Sequence, residues 1–174
     1  LPEAHCVKAR YLEDEGRAEE AERQIKTALK LNPESWEANR EAARMLFRHG
    51  HVREAIPFFE KAGSLIDSDW HNPMMVAGCY RGIGERETAI ARSKVALERT
   101  ERAISKDPTN SHALAAGANA LALMGDKHRA REWMQRSLAF DPNNLSMRYN
   151  LACAIVQDLD DTKAALEMLD PYFE

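Results

Sequence analysis

Six histidines and three cysteines are the residues of this 174-residue sequence best suited to metal or nucleophilic chemistry, and their spacing argues against it. His49 and His51 flank the turn residue Gly50 with no Cys nearby, and no His pair falls at the i, i+4 spacing that sets two ligands on one helix face. His5, His71, His112 and His128 are isolated from one another. Cys6, Cys79 and Cys153 are far apart, odd in number and outside any C-x-x-C pair. They indicate neither a disulfide framework nor a structural zinc site, and a reducing compartment is their natural home. Cys79 and Cys153 read as small packing residues on helices. The stretch GCYRGIGER, with Gly78, Gly82 and Gly84, lies across a helix end and not after a strand, so it is no phosphate loop. No Ser, His and Asp arrangement suggests an activated nucleophile. The expectation is no catalysis, no metal and no cofactor.

Bulk properties narrow the class further. The formal net charge is only -4, which gives no electrostatic reason to expect nucleic acid. No apolar run approaches the roughly 20 residues that span a bilayer, and no basic-then-apolar segment opens the chain. The sequence begins at Leu1 inside a helical pattern, as a piece of a longer protein would, and a cytoplasmic setting is expected. Few aromatics, little Gly or Pro and much Ala, Glu, Arg and Leu read as all-helical.

The elements follow from spacing. Gly16, Gly50 and Gly84 are 34 residues apart, Gly125 follows after 41, and a further 34 lands on Leu159 in a turn-like DLDD. Five residues after each point stands an alanine: Ala21, Ala55, Ala89, Ala130 and Ala164. Seven before each stands another: Ala9, Ala43, Ala77, Ala118 and Ala152. Four before each is a larger apolar residue: Leu12, Leu46, Tyr80, Leu121 and Ile155. Each unit is therefore a first helix ending near the Gly, a short turn, and a second helix. The second helices end near Asn32-Pro33, Asp107-Pro108 and Asp141-Pro142, because the residue before Pro is pushed out of the helical region. Small residues let antiparallel helices approach, and stacked neighbours complete a core that one hairpin cannot bury. Within the 41-residue interval, AIARSKVALERTERAISKDP has no Gly or Pro before Pro108. Its seven extra residues, close to two helical turns, predict a longer second helix with no added loop.

The 34-residue period, the small residues, the turn Gly and the closing LKLNP, ISKDP and LAFDP resemble the tetratricopeptide repeat, across essentially the whole chain. The resemblance implies an all-α, right-handed superhelical solenoid of about five antiparallel helix–turn–helix units. Residues 1–174 form one array, with repeats near 2–35, 36–69, 70–110, 111–144 and 145–174. Lys8 stands where Leu is commoner, and the fifth repeat lacks the turn Gly. The stretch SKVALERTERAISKDPTNSHALAAGANALALMGD followed by WMQRSLAFDPNNLSMRYNLACAIVQ, within a similarity that covers mainly residues 70–174, resembles the tetratricopeptide regions of bacterial multidomain signalling proteins, where such arrays accompany a class III adenylate or guanylate cyclase, a kinase or a DNA-binding domain. That similarity implies a regulatory, partner-recruiting role.

In such a stack the first helices line the concave face, and their i, i+4, i+7 stripes offer a groove for a protein or peptide. Repeat 1 contributes Cys6, Arg10 and Glu13; repeat 2, Arg40, Arg44 and Phe47; repeat 3, Met74, Gly78 and Arg81. Repeat 4 contributes Ala115, Asn119 and Ala122, and repeat 5 contributes Tyr149, Cys153 and Val156. His71, His112 and Asn150 flank them. Arg10, Arg40, Arg44 and Arg81 make a basic floor suited to a carboxylate or an acidic peptide; Asn119, Tyr149 and Asn150 could hold a peptide backbone. Alternatively the arginines are ordinary surface ion pairs with Glu13, Glu37 and Glu41. A second class of function, self-association, is suggested by Leu169, Tyr172 and Phe173 at the C-terminal end. Left partly uncovered, they predict a homodimer through the last repeat, or coverage by a downstream segment.

Overall fold

The three ladders take physical form in a computed structural model that describes residues 1–173; Glu174, the last residue of the fifth repeat, lies outside them. Ten α-helices follow one another, and the described residues contain no strand. They are α1 (Pro2–Asp14), α2 (Ala18–Leu31), α3 (Trp36–Arg48), α4 (Val52–Leu65), α5 (His71–Gly82), α6 (Arg86–Lys106), α7 (Ser111–Met124), α8 (Lys127–Phe140), α9 (Leu145–Ala154) and α10 (Thr162–Leu169). Contacts divide the chain into two compact units, one holding α1–α5 up to Glu85 and one running from Arg86 through α6–α10. In the first, α1 packs on α2, α3 on α4 and α4 on α5. In the second, α6 packs on α7, α7 on α8 and α9 on α10.

The helix ends lie where local chemistry puts them. α2, α6 and α8 stop at Leu31, Lys106 and Phe140, each one residue before an Asn or Asp that precedes Pro. Side chains of Ser35, Asn110, Asp126, Asn144 and Asp161 accept hydrogen bonds from backbone N–H groups three residues on, opening α3, α7, α8, α9 and α10. After α1, α3, α5 and α7, Gly16, Gly50, Gly84 and Gly125 take φ between +74 and +86°, a region that costs a side chain but not glycine. Each makes the two bonds of a Schellman turn: Gly16 N–H to Glu13 C=O and Arg17 N–H to Leu12 C=O in the first repeat, with the same pattern at the other three. The last carbonyl belongs in each case to the large apolar ladder residue, Leu12, Leu46, Tyr80 or Leu121. The turn thus ties the glycine ladder to the apolar one.

Burial follows the small-residue ladders. Ala9, Ala43, Ala77, Ala118 and Ala152 are buried, as are Ala21, Ala55, Ala89 and Ala130. In the first unit the core gathers Ala9, Leu12, Ala21, Ile25, Ala42 and Met45, then Ala43, Ala55, Ile56, Phe59, Val76 and Cys79. α6 is 21 residues long against 14 for α2, α4 and α8, with no interrupting loop, as the seven-residue insertion predicts.

The fifth repeat corrects one ladder. Residues Ile155–Leu159 form a π turn, and the left-handed residue is Asp160, φ 54°, whose N–H bonds Ile155 C=O. The wider turn inserts one residue, so Leu159 is buried where the other repeats have Gly. α10 consequently starts one position later. Ala165, not Ala164, is the buried alanine, and its N–H bonds Asp161 C=O just as Ala130 bonds Asp126 C=O in the fourth repeat.

Candidate functional site

α3 divides its residues cleanly. Ala38, Asn39, Glu41, Ala42, Ala43 and Met45 are buried, while Trp36, Arg40, Arg44 and Phe47 keep solvent contact along the i, i+4 rows. Glu41 sits at the boundary. Its side chain is 5% exposed, and a carboxylate so enclosed needs cationic partners. It has three: Arg40 Nη1 and Arg44 Nη1 each lie 3.4 Å from Glu41 Oε1, and Arg10 Nε, from α1, lies 3.9 Å from the same oxygen. Three guanidinium groups from two helices are thereby gathered around one point, with side-chain exposures of 50, 26 and 34% for Arg10, Arg40 and Arg44.

Aromatic and acidic neighbours hold this arrangement. The Arg40 guanidinium stacks 5.1 Å above the Trp36 ring, a favourable cation–π geometry. Trp36 Nε1–H donates to Asp69 Oδ2 at 2.8 Å, and the side-chain amide of Asn72 donates to the same oxygen. Asp69 Oδ1 accepts from the backbone N–H groups of His71 and Asn72 at 2.9 and 3.1 Å, fixing the first turn of α5. Desolvation, then the Arg44 charge, pushes the Arg40 pKa down against the pull of Glu41 and Asp69. Desolvation of its ring and then the Arg40 charge likewise hold His71 below the usual histidine range, with Asp69 opposing and Arg44 adding.

The residues expected to bind therefore divide by unit. In the first, Arg10, Arg40, Arg44 and His71 belong to one cluster, with Met74 and Arg81 half-buried along α5. The ion-pair alternative also materialises in part, since Glu41 joins three of the arginines. Glu13 pairs instead with Arg48, and His49 Nε2 lies 3.7 Å from its Oε1. In the second unit the stripe on α7 is not as expected: Ala115 and Ala122 are buried. No charged residue occurs between Ser111 and Met124, so no face of α7 is held in water, and it is buried around nearly its whole circumference. Asn119 is half-buried, its Oδ1 shielded from solvent without a hydrogen-bond partner. His112, Tyr149 and Asn150 are exposed.

At the C-terminal end, Leu169 is half-exposed, the Tyr172 hydroxyl donates to the Leu145 carbonyl, and Phe173 is 86% exposed. A cleft of about 300 Å³ opens beside α10, walled by Met134, Leu138, Ile155, Ala164 and Met168. Sequence spacing gave no sign of it. Burial pushes the Cys6 thiol up to about 11, with Glu41 adding, and burial alone takes Cys79 to about 11, so both stay protonated and packed. Among the described residues no three His, Cys, Asp or Glu side chains gather as a metal site, and no helix is long and apolar enough to cross a membrane.

Comparison with known proteins agrees with the geometry. Residues 6–69 match the tetratricopeptide repeat family. No curated protein matches the sequence. Among solved structures, a thermophilic tetratricopeptide protein of Thermus thermophilus is similar at TM-score 0.67 and 21% identity, covering 97% of this chain and 90% of that one. MamA from Desulfovibrio magneticus RS-1, from its residue 41 to its end, gives 0.61 at 17% identity over 99% and 93%. YrrB, a tetratricopeptide protein with an unusual peptide-binding site, gives 0.58 at 22% over 95% and 81%. Residues 6–69 are thus tetratricopeptide-repeat sequence, and the chain as a whole has the helix–turn–helix fold of tetratricopeptide proteins.

Proposed function

We propose that this chain is a non-catalytic partner-binding array whose contact surface is the accessible face of α1, α3 and α5, and that the segment bound there is acidic. Tetratricopeptide proteins generally serve as protein-interaction scaffolds, and YrrB is described as having a peptide-binding site. The observation that carries the reading is the convergence of Arg10, Arg40 and Arg44 on one buried carboxylate, which gathers the guanidinium groups while leaving them in solvent contact. Such preorganised forks suit carboxylate and phosphate groups. The resemblance of residues 70–174 to cyclase- and kinase-linked arrays supports extending the reading to a regulatory region of a larger bacterial cytoplasmic signalling protein.

Selection of random peptides on the native chain tests it. The expected outcome is enrichment of Asp- and Glu-rich segments, with the doubly substituted Arg40→Ala/Arg44→Ala protein binding them at least about tenfold more weakly, each lost charge-assisted bond being worth about 1.5–3 kcal/mol. Equal binding by the two proteins, with both folded by circular dichroism, removes this face as the site.

A second reading is self-association through α10. Leu169 holds the helix position of Ile25, Phe59 and Met134, all buried, yet remains half-exposed beside exposed Leu166 and Phe173.

A further inference from the structure

The cluster around Glu41 holds more positive charge and more donors than the protein itself matches. Three guanidinium groups lie around one carboxylate oxygen, and with the Asp69 charge that also acts on Arg40 the five side chains keep one net positive charge. Each guanidinium carries five N–H donors in a rigid fork. Glu41 Oε1 accepts hydrogen bonds from Arg40 and Arg44 at 3.4 Å each, while Arg10 Nε, 3.9 Å away, is an ion-pair neighbour beyond hydrogen-bond distance. Asp69, whose charge Arg40 also feels, is turned to its own donors on Trp36, His71 and Asn72. Trp36 beneath Arg40 and the Glu41 bonds to Arg40 and Arg44 hold two of the forks before any ligand arrives, so less side-chain freedom is lost on binding.

The shape and charge of the missing acceptor follow. A carboxylate is planar, carries one charge and engages one fork edge-on. A phosphodiester also carries one charge. A phosphomonoester carries about 1.5–2 charges near neutral pH and three acceptor oxygens in tetrahedral array, the most charge and the most oxygens of the three, so separate oxygens meet guanidinium groups from two helices. We infer that Arg10, Arg40 and Arg44, set by Glu41, form a receptor for a phosphomonoester dianion presented by a phosphorylated side chain of a protein partner. The inference rests on the partner-binding reading and names the group that the bound segment carries.

The test uses the indole N–H resonance of Trp36 in the whole 174-residue chain at low ionic strength. Phenyl phosphate, phenylacetate and the monoanionic ethyl phenyl phosphate are titrated in turn. Phenyl phosphate is expected to shift the resonance saturably and at least about tenfold more tightly than the other two. Arg44→Lys, which keeps the charge but loses the fork, should lose most of that preference, and Arg10→Gln should lose it as well, each with the remaining native spectrum unchanged. Should either variant unfold, addition of inorganic phosphate as competitor against phenyl phosphate on the native chain decides: displacement is expected, and its absence overturns the site. Equal affinity for phenyl phosphate and phenylacetate overturns the dianion while leaving an acidic-segment face intact. No saturable shift with any of the three anions overturns the receptor outright. Retention of the full preference in both variants places the binding elsewhere and overturns it too.

Discussion

Gly117 stands mid-helix in α7, where glycine ordinarily weakens a helix, because α7 approaches α8 and α6 too closely for anything larger. A Cβ at that position would lie 2.3 Å from Trp133 Cζ3 and 2.9 Å from Thr100 Oγ1. Gly117→Ala should therefore destabilise the chain by about 1–3 kcal/mol, despite the better helix propensity of Ala, as measured by chemical denaturation; an unchanged or higher midpoint would contradict the close packing. The buried ladder alanines impose the same demand and could be read from sequence, because a small residue recurring at a fixed interval marks a close approach, Ala164 in the fifth repeat being the exception. The arginine cluster was only partly legible. The spacing of Arg40 and Arg44 put both on one face of α3, and Glu41 was a visible candidate partner. That Glu41 is buried, and that Arg10 reaches it from another helix, depends on how α1 meets α3, which no local spacing encodes.

At the scale of elements, lengths and ends were legible while register was not. The extension of α6 could be read because a helical pattern free of Gly and Pro has nowhere to loop out. The four Schellman turns could be read from their glycines. In the fifth repeat the π turn adds one residue without changing any residue type, so the shift from Ala164 to Ala165 left no mark in composition. Its strain is local and testable. Asp160 adopts φ 54° where the other turns use glycine. Asp160→Gly should stabilise the chain by about 0.5–1 kcal/mol, seen as a rise in thermal midpoint, because glycine enters the left-handed region without a Cβ penalty. A fall in midpoint would mean that the aspartate side chain does more for this turn than the strain takes away.

For the whole molecule, the two units differ in what they offer a partner. Residues up to Glu85 keep an arginine- and aromatic-bearing face on α1, α3 and α5 in solvent, organised around Glu41. In the residues from Arg86 on, the expected groove stripe of α7 is buried, and exposure shifts to Tyr149 and Asn150 on α9 and to the end of α10. A run without charge, SHALAAGANALALM, was the legible sign that α7 belongs inside. Mapping amide chemical-shift changes as a selected acidic peptide is titrated into the chain tests whether the first-helix face of the N-terminal unit is the partner surface. Saturable changes concentrated on α1, α3 and α5 are expected, with the Trp36 indole among the largest. Changes confined to Tyr149, Asn150 and the stretch from Leu169 to Phe173, with the Trp36 indole unmoved, would contradict it.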